Sequence, residues 1–352
     1  GADRTVETGS LLWSLPPLTV EVHDEFKAHQ GYLVTSMLAQ PSVAVIIDAD
    51  GDYVWAHQPD VAWDTLFIPR VTLSRIGDWV VYHAAASALG NADDESVERV
   101  LIRVGLDGSH EELIPVSNAH HDFVELGDGS FAVLIRDRRL VDGELIEGDQ
   151  IIEFQPDGSE IAVWSVWDYT EYRPYQEYGD AGSGWSHANA LRYDKDEDVY
   201  YVSLCNFDSI VKIDRATGAE IWTLGGVDSH FTNGGGQTSL FRRQHQFEVN
   251  GDHILVFDNR TTDERSSRVV EYQLHEDTGV ADLVWEYEDD PPSYSLALGD
   301  VTRLPTSDTL ITWSSVGQID QVTTGGLLRW RLRSDMGAGF GYTTYRDVLY
   351  NL

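Results

Sequence analysis

Short runs of alternating apolar and β-branched residues, broken by turns built on Asp-Gly or Thr-Gly, recur along the chain, while helical periodicity is scarce. This is the rhythm of β-hairpins. Six copies line up: Ile46 to Trp55, Arg103 to Leu113, Glu153 to Trp164, Lys212 to Trp222, Glu271 to Trp285 and Gln321 to Trp330. Their turn glycines, Gly51, Gly108, Gly158, Gly218, Gly279 and Gly325, fall 46 to 61 residues apart. Propeller blades repeat at roughly 40 to 50 residues, so this spacing is one blade plus insertions.

Copies are preceded by a second apolar hairpin, as at His121 to Ile135, His187 to Leu204, His245 to Asp258 and Gly299 to Trp313. Two hairpins make four strands. Without helices to cover a parallel sheet, a repeated four-stranded unit is best satisfied by radial closure, which leaves no long unpaired edge. The pattern therefore predicts an all-β fold, a six-bladed β-propeller of four-stranded blades, as a single domain over residues 1–352. Blades are expected near 20–60, 61–117, 118–168, 186–228, 242–290 and 296–333. The apolar ends, Leu11 to Val22 and Tyr342 to Tyr350, are expected to pair and close the ring. A pair of β-sandwiches would show irregular spacing instead. Two segments interrupt the repeat: the acidic Ala86 to Glu98, and Asp168 to Ser186, whose four tyrosines either roof a pocket or cover blade ends.

Composition narrows the partners. With 59 acidic against 24 basic residues the formal net charge is -35, which opposes any partner bound through phosphate neutralisation. Nucleic acid and membrane are excluded as partners, and a small aromatic or anionic substrate is expected. Lys27, Lys195 and Lys212 are the only lysines; an acid-rich, lysine-poor surface suits a halophilic, saline setting where ions screen self-repulsion. The single cysteine, Cys205, allows no internal disulfide and no CxxC metal site. The longest apolar runs fall far short of the ~20 residues a membrane helix needs. The chain starts at Gly1 without Met, so an export signal would already have been removed.

Three of the preceding hairpins begin with histidine at what reads as the same place in the repeat: His121, His187 and His245. Equivalent positions on successive blades point in equivalent directions, so three imidazoles are expected to converge on one pocket. Imidazole titrates near neutrality and serves as base, acid, nucleophile or metal ligand. Asp122, Asn189 and Gln244 lie beside these histidines as candidate substrate-binding groups, with Gln246 also flanking His245. Asn259 and Arg260 can supply an amide and a cation to an anionic substrate. His120 is expected to point the other way along a regular strand and to be structural. The acid run Asp194 to Asp198 lacks the spacing of a calcium loop and reads as a solvated turn.

The segments HDFVELGDGSFAVL, HANALRYD, SIVKIDRATGAEIWTLGG, QHQFEVNGDHILVFDNR and GDVTRLPTSDTLITW, in this order and spacing, resemble the bacterial arylsulfate sulfotransferases. The resemblance implies a six-bladed propeller exported to the periplasm or beyond. It implies sulfuryl transfer between phenols through a transiently sulfated histidine, with no nucleotide donor and no cofactor. It places His245 on the nucleophile, His187 and Asn189 on the sulfate-holding His-x-Asn, and His121 on the remaining histidine.

One position departs from the family pattern. Where the sulfotransferases carry a sulfate-binding arginine this chain has Cys205, and a neutral thiol offers neither charge nor fork geometry. Arg242, Arg243 or Arg260 can substitute only from another strand. The same histidines would equally serve a lyase, an isomerase or a hydrolase, or bind a divalent metal as three neutral ligands with an open position. A non-catalytic binding propeller is the remaining reading, since the fold hosts many functions.

Overall fold

The computed structural model describes residues 14–61, 63, 65–75, 79–86, 98–173, 184–335 and 337–349. Six sheets of four antiparallel strands, with almost no helix, make it a six-bladed β-propeller. The hairpin turns explain why the repeat was visible. In the Asp-Gly-Ser turns the Asp107, Asp128 and Asp157 carboxylates each accept the N–H of the serine two residues on, at 2.9, 3.0 and 2.9 Å. Gly108 and Gly158 between them take φ of 74° and 83°, the left-handed backbone that glycine adopts without strain.

The blades fall into two compact units. Residues 1–117 and 298–352 hold blades one, two and six. Blade one has Tyr32–Leu38, Val43–Ile47 and Tyr53–His57, and blade two has Val71–Leu73, Trp79–Ala85, Arg99–Gly105 and Glu112–Pro115. Blade six has Asp300–Arg303, Thr309–Trp313, Gln318–Val322 and Leu328–Ser334. Among the described residues each end of the chain pairs with a blade from the opposite end of the sequence and not with the other end. Leu18–His23 adds a fifth strand to blade six along Leu328–Ser334. Gly339–Phe340 and Thr344–Arg346 run along Tyr32–Leu38 and supply the missing strand of blade one. Leu11 to Trp13 and Tyr350 lie outside the described residues.

A buried ion pair knits blade six. Arg331 holds Asp320 through Nε and Nη2, both at 2.7 Å, and Trp313 Nε1 and Gln318 Nε2 donate to the same carboxylate at 3.1 and 2.7 Å. Replacing Asp320 with alanine strands a buried guanidinium. The expected loss is about 3 to 5 kcal/mol of folding free energy, read as a lower urea midpoint with unchanged slope.

Residues 118–297 hold blades three, four and five. Blade three has Ala119–Glu125, Phe131–Val141, Glu144–Phe154 and Glu160–Ser165. Blade four has Ala188–Asp194, Val199–Leu204, Ser209–Asp214 and Glu220–Gly225, and blade five has Phe247–Asn250, His253–Asp258, Arg268–His275 and Val280–Tyr287. Aliphatic and aromatic faces pack between successive blades, with Trp185, Tyr200 and Phe247 fully buried. The long segment of four tyrosines is described up to residue 173. There Tyr169 donates to or accepts from Thr223 Oγ1 at 2.9 Å, and Tyr172 packs on Trp185, so both cover blade ends. The remainder, 174–183, and most of the acidic segment, 87–97, lie outside the described residues. Among the described residues no helix is long and apolar enough to cross a membrane.

Candidate functional site

The first strands of blades three, four and five are tied together by one carboxylate. Asp122 accepts from the Leu191 N–H at 3.0 Å and from Gln246 Nε2 at 2.7 Å, with Arg192 at 3.8 Å. Its other oxygen accepts the Phe123 N–H at 2.9 Å. Asp122 is therefore an interblade staple. Gln244 also ties strands together, its Nε2 donating to Ser203 Oγ, the Leu204 carbonyl and the Ser209 carbonyl at 3.0, 3.3 and 2.9 Å. Asn189 Nδ2 donates to the Gln244 carbonyl at 2.7 Å.

Phe123, Leu191 and Phe247 pair with Val133, Val202 and Val256 of the second strands and so share one register position. Counting back two residues gives His121, Asn189 and His245. His187 lies two residues earlier still, level with Arg243 in the next blade. The equivalence read from sequence was therefore offset by two residues for His187. A register shift between Ala188 and Ala190 and a left-handed backbone at His187 still bring its ring to His121. Their centroids are 4.8 Å apart.

Three of these side chains sit on unusual backbone. His121, His187 and Arg243 have φ of 51°, 50° and 55°. Left-handed conformations cost a non-glycine residue on the order of 1 to 3 kcal/mol and collect where positioning matters more than stability.

His245 has a defined proton arrangement. Asn259 Nδ2 donates to the Ser295 carbonyl at 2.9 Å, which turns Asn259 Oδ1 toward His245 Nδ1 at 2.8 Å. Oδ1 can only accept, so His245 carries its proton on Nδ1 and presents the Nε2 lone pair. Burial pulls the His245 pKa down to about 3; the Asn259 hydrogen bond opposes this, and the fields of His187 and Arg243 add to it. Burial, followed by the fields of His187, His120, His245 and Arg136, holds His121 well below the ordinary histidine value. His121 and His245 are thus uncharged imidazoles near neutral pH.

The cations separate cleanly. Arg260 is committed to Glu288 at 2.6 Å and Ser266 at 2.8 Å, and Arg242 to Glu264 at 2.6 Å. Arg243 donates to Asn206 Oδ1, beside Cys205, and its field reaches both His245 and Cys205. Cys205 is buried, and burial pushes its thiol up to about 12, so it is neither thiolate nor ligand in the neutral range. Among the described residues no group of three or more His, Cys, Asp or Glu side chains is arranged to hold a metal ion.

His120 was read from sequence as pointing away. The left-handed backbone at His121 breaks the alternation, and the two rings meet edge to face with Nδ1 to Nδ1 at 3.0 Å. Behind His120 lies Asp149, 3.0 Å from Nε2. No pattern marked Asp149 beforehand; it is one of four acidic residues along Glu144–Phe154, with Glu144, Glu147 and Glu153.

Neutral imidazoles beside a guanidinium, set at the ends of first strands, define a propeller equipped for nucleophilic or acid–base chemistry on an anion. The chain belongs to the arylsulfotransferase (ASST) family, which matches it over residues 19–327. Membership points to an arylsulfotransferase-like function and a transferase class. No curated protein matches the chain. Among solved structures it is similar to a protein of unknown function from Bacteroides caccae, with TM-score 0.55 and 13% identity over 90% of this chain and 98% of that one. It is also similar to a chain of a nidogen/laminin complex, with TM-score 0.55 and 10% identity over 91% and 99%. At such identities the likeness is one of fold.

Proposed function

We propose that this cluster transfers a sulfuryl group from an aryl sulfate to a phenolic acceptor through His245. The observation that carries the reading is the Asn259–His245 hydrogen bond, which fixes the proton on Nδ1 and leaves Nε2 unprotonated on a buried, neutral ring. In the first half-reaction the Nε2–S bond forms, the aryl O–S bond breaks, and its electron pair leaves on the phenolate. In the second, the acceptor oxygen attacks sulfur and releases His245. Arg243 supplies the charge on the sulfuryl oxygens that Cys205 cannot, entering from the next blade. His187 and Asn189 flank the transferred group, and His121 exchanges the proton of the phenol. Neither step draws on a nucleotide or a cofactor.

The test is release of 4-nitrophenol from its sulfate by the purified protein. Release that depends on added phenol, with phenyl sulfate formed in equal amount, supports transfer. Continued release over many turnovers without acceptor makes the protein a hydrolase, and no release with or without acceptor removes the sulfuryl reading.

A further inference from the structure

We infer that His120 and Asp149 form, with His121, a proton store for the phenol oxygen. This inference rests on the sulfuryl reading above. His120 lies between the two partners, its Nε2 in an ion-pair contact 3.0 Å from Asp149 Oδ1 that is off line for a hydrogen bond, and its Nδ1 3.0 Å from His121 Nδ1. Asp149 is fixed at its other oxygen by the Ser186 hydroxyl and by the Ala188 N–H at 2.7 Å. Its carboxyl stays below the ordinary value: burial would raise it, but hydrogen bonding and charge from His120, then Ser186 and Ala188, outweigh that. Asp149 thus sets a carboxylate oxygen 3.0 Å from the Nε2 edge of His120. His121 faces the opposite situation, with His187, His245 and Arg136 around it, so a resting positive charge is expelled from its ring. Arg136 is itself held by Glu147 at 2.9 Å.

Two proton arrangements follow. With His120 protonated, its Nδ1–H donates to His121 Nδ1, and His121 presents Nε2–H to the substrate. When the aryl O–S bond breaks, the phenolate takes that Nε2 proton. His121 Nδ1 takes the proton of His120 Nδ1, and His120 is left neutral with Nε2–H on Asp149. In the second half-reaction the acceptor phenol returns a proton to His121 Nε2 and the chain resets. One proton leaves with the product and one arrives with the acceptor. His120 and Asp149 touch no substrate and are positioning residues.

The store matters in proportion to how poorly the phenol leaves. In His120→Gln, kcat/KM for phenyl sulfate is expected to fall about 10²-fold or more, the scale of general acid catalysis, while 4-nitrophenyl sulfate, whose phenolate needs no proton, falls less than about tenfold. Equal losses on both donors, or no loss on either, would overturn the relay. Asp149→Asn is the second variant, and the NMR of ¹⁵N-labelled histidine is the second readout. In the unmodified protein near neutral pH, His121 is expected to hold its proton on Nε2, and in Asp149→Asn on Nδ1. An unchanged tautomer overturns the relay whether or not aryl sulfates are turned over. Failure of the unmodified protein to use either sulfate removes the sulfuryl reading instead and leaves the tautomer to decide the relay.

Discussion

Replacing His245 with alanine is expected to lower kcat for aryl sulfate turnover by on the order of 10⁵-fold or more, the scale seen when a covalent nucleophile is removed. The variant should keep its fold, because the first strand of blade five is held by Phe247 in the core and by the backbone of its neighbour. Circular dichroism checks that. A rapid burst of phenol without acceptor, the mark of a sulfated intermediate, should vanish with the same substitution. The unmodified protein should show no acid limb from this residue across about pH 5 to 8, where ordinary histidines titrate. Its pKa of about 3 keeps Nε2 unprotonated throughout. The same depression has a cost in stability. The unfolded chain protonates this histidine near 6.5 and the folded chain only near 3, so the folded state binds fewer protons between those values. Its contribution to stability is therefore lost as pH falls below about 6.5.

Arg243→Met is expected to lower kcat/KM by about 10³-fold, as when a charge-stabilising donor is removed from a transition state. Lysine at this position should recover only part, since it is a point charge without the fork. Loss of the guanidinium also removes one of the fields that depress His245, so the acid limb of the rate profile should move upward from about 3. A packing role alone would not move it. Cys205→Ser should leave turnover within about threefold, because a thiol that ionises near 12 carries no charge to lose.

How far the sequence discloses this molecule depends on the range of the interaction involved. The blades were legible because each Asp-Gly turn is local chemistry, a carboxylate capping a backbone N–H two residues away. The pairing of the chain ends was not, since Leu18–His23 meets Leu328–Ser334 across almost the whole chain and any exposed apolar strand competes for such an edge. The cluster of His121, His187 and His245 follows from the repeat, yet the offset at His187 depends on a register shift that alternation does not encode. Arg243 could be named from sequence only as one of three arginines on other strands, because the family's own position holds Cys205 and nothing local tells which guanidinium lies near the histidines. His120 was misjudged because strand alternation assumes extended backbone, and His121 does not have it. Asp122 and Gln244 stand beside the histidines as read, and the structure adds that both also bind the backbone of neighbouring strands.

The ends of the chain also set an order of events during synthesis. Blade one receives its fourth strand from residues 339–346, which leave the ribosome after the strands of all six blades. A growing polypeptide therefore carries the edge of Tyr32–Leu38 unpaired until residues 339–346 have been made, an edge open to aggregation in the meantime. Blades three to five contain all of their own strands and can mature earlier, so the part of the chain that carries the histidine cluster is free to assemble before those late strands are fastened.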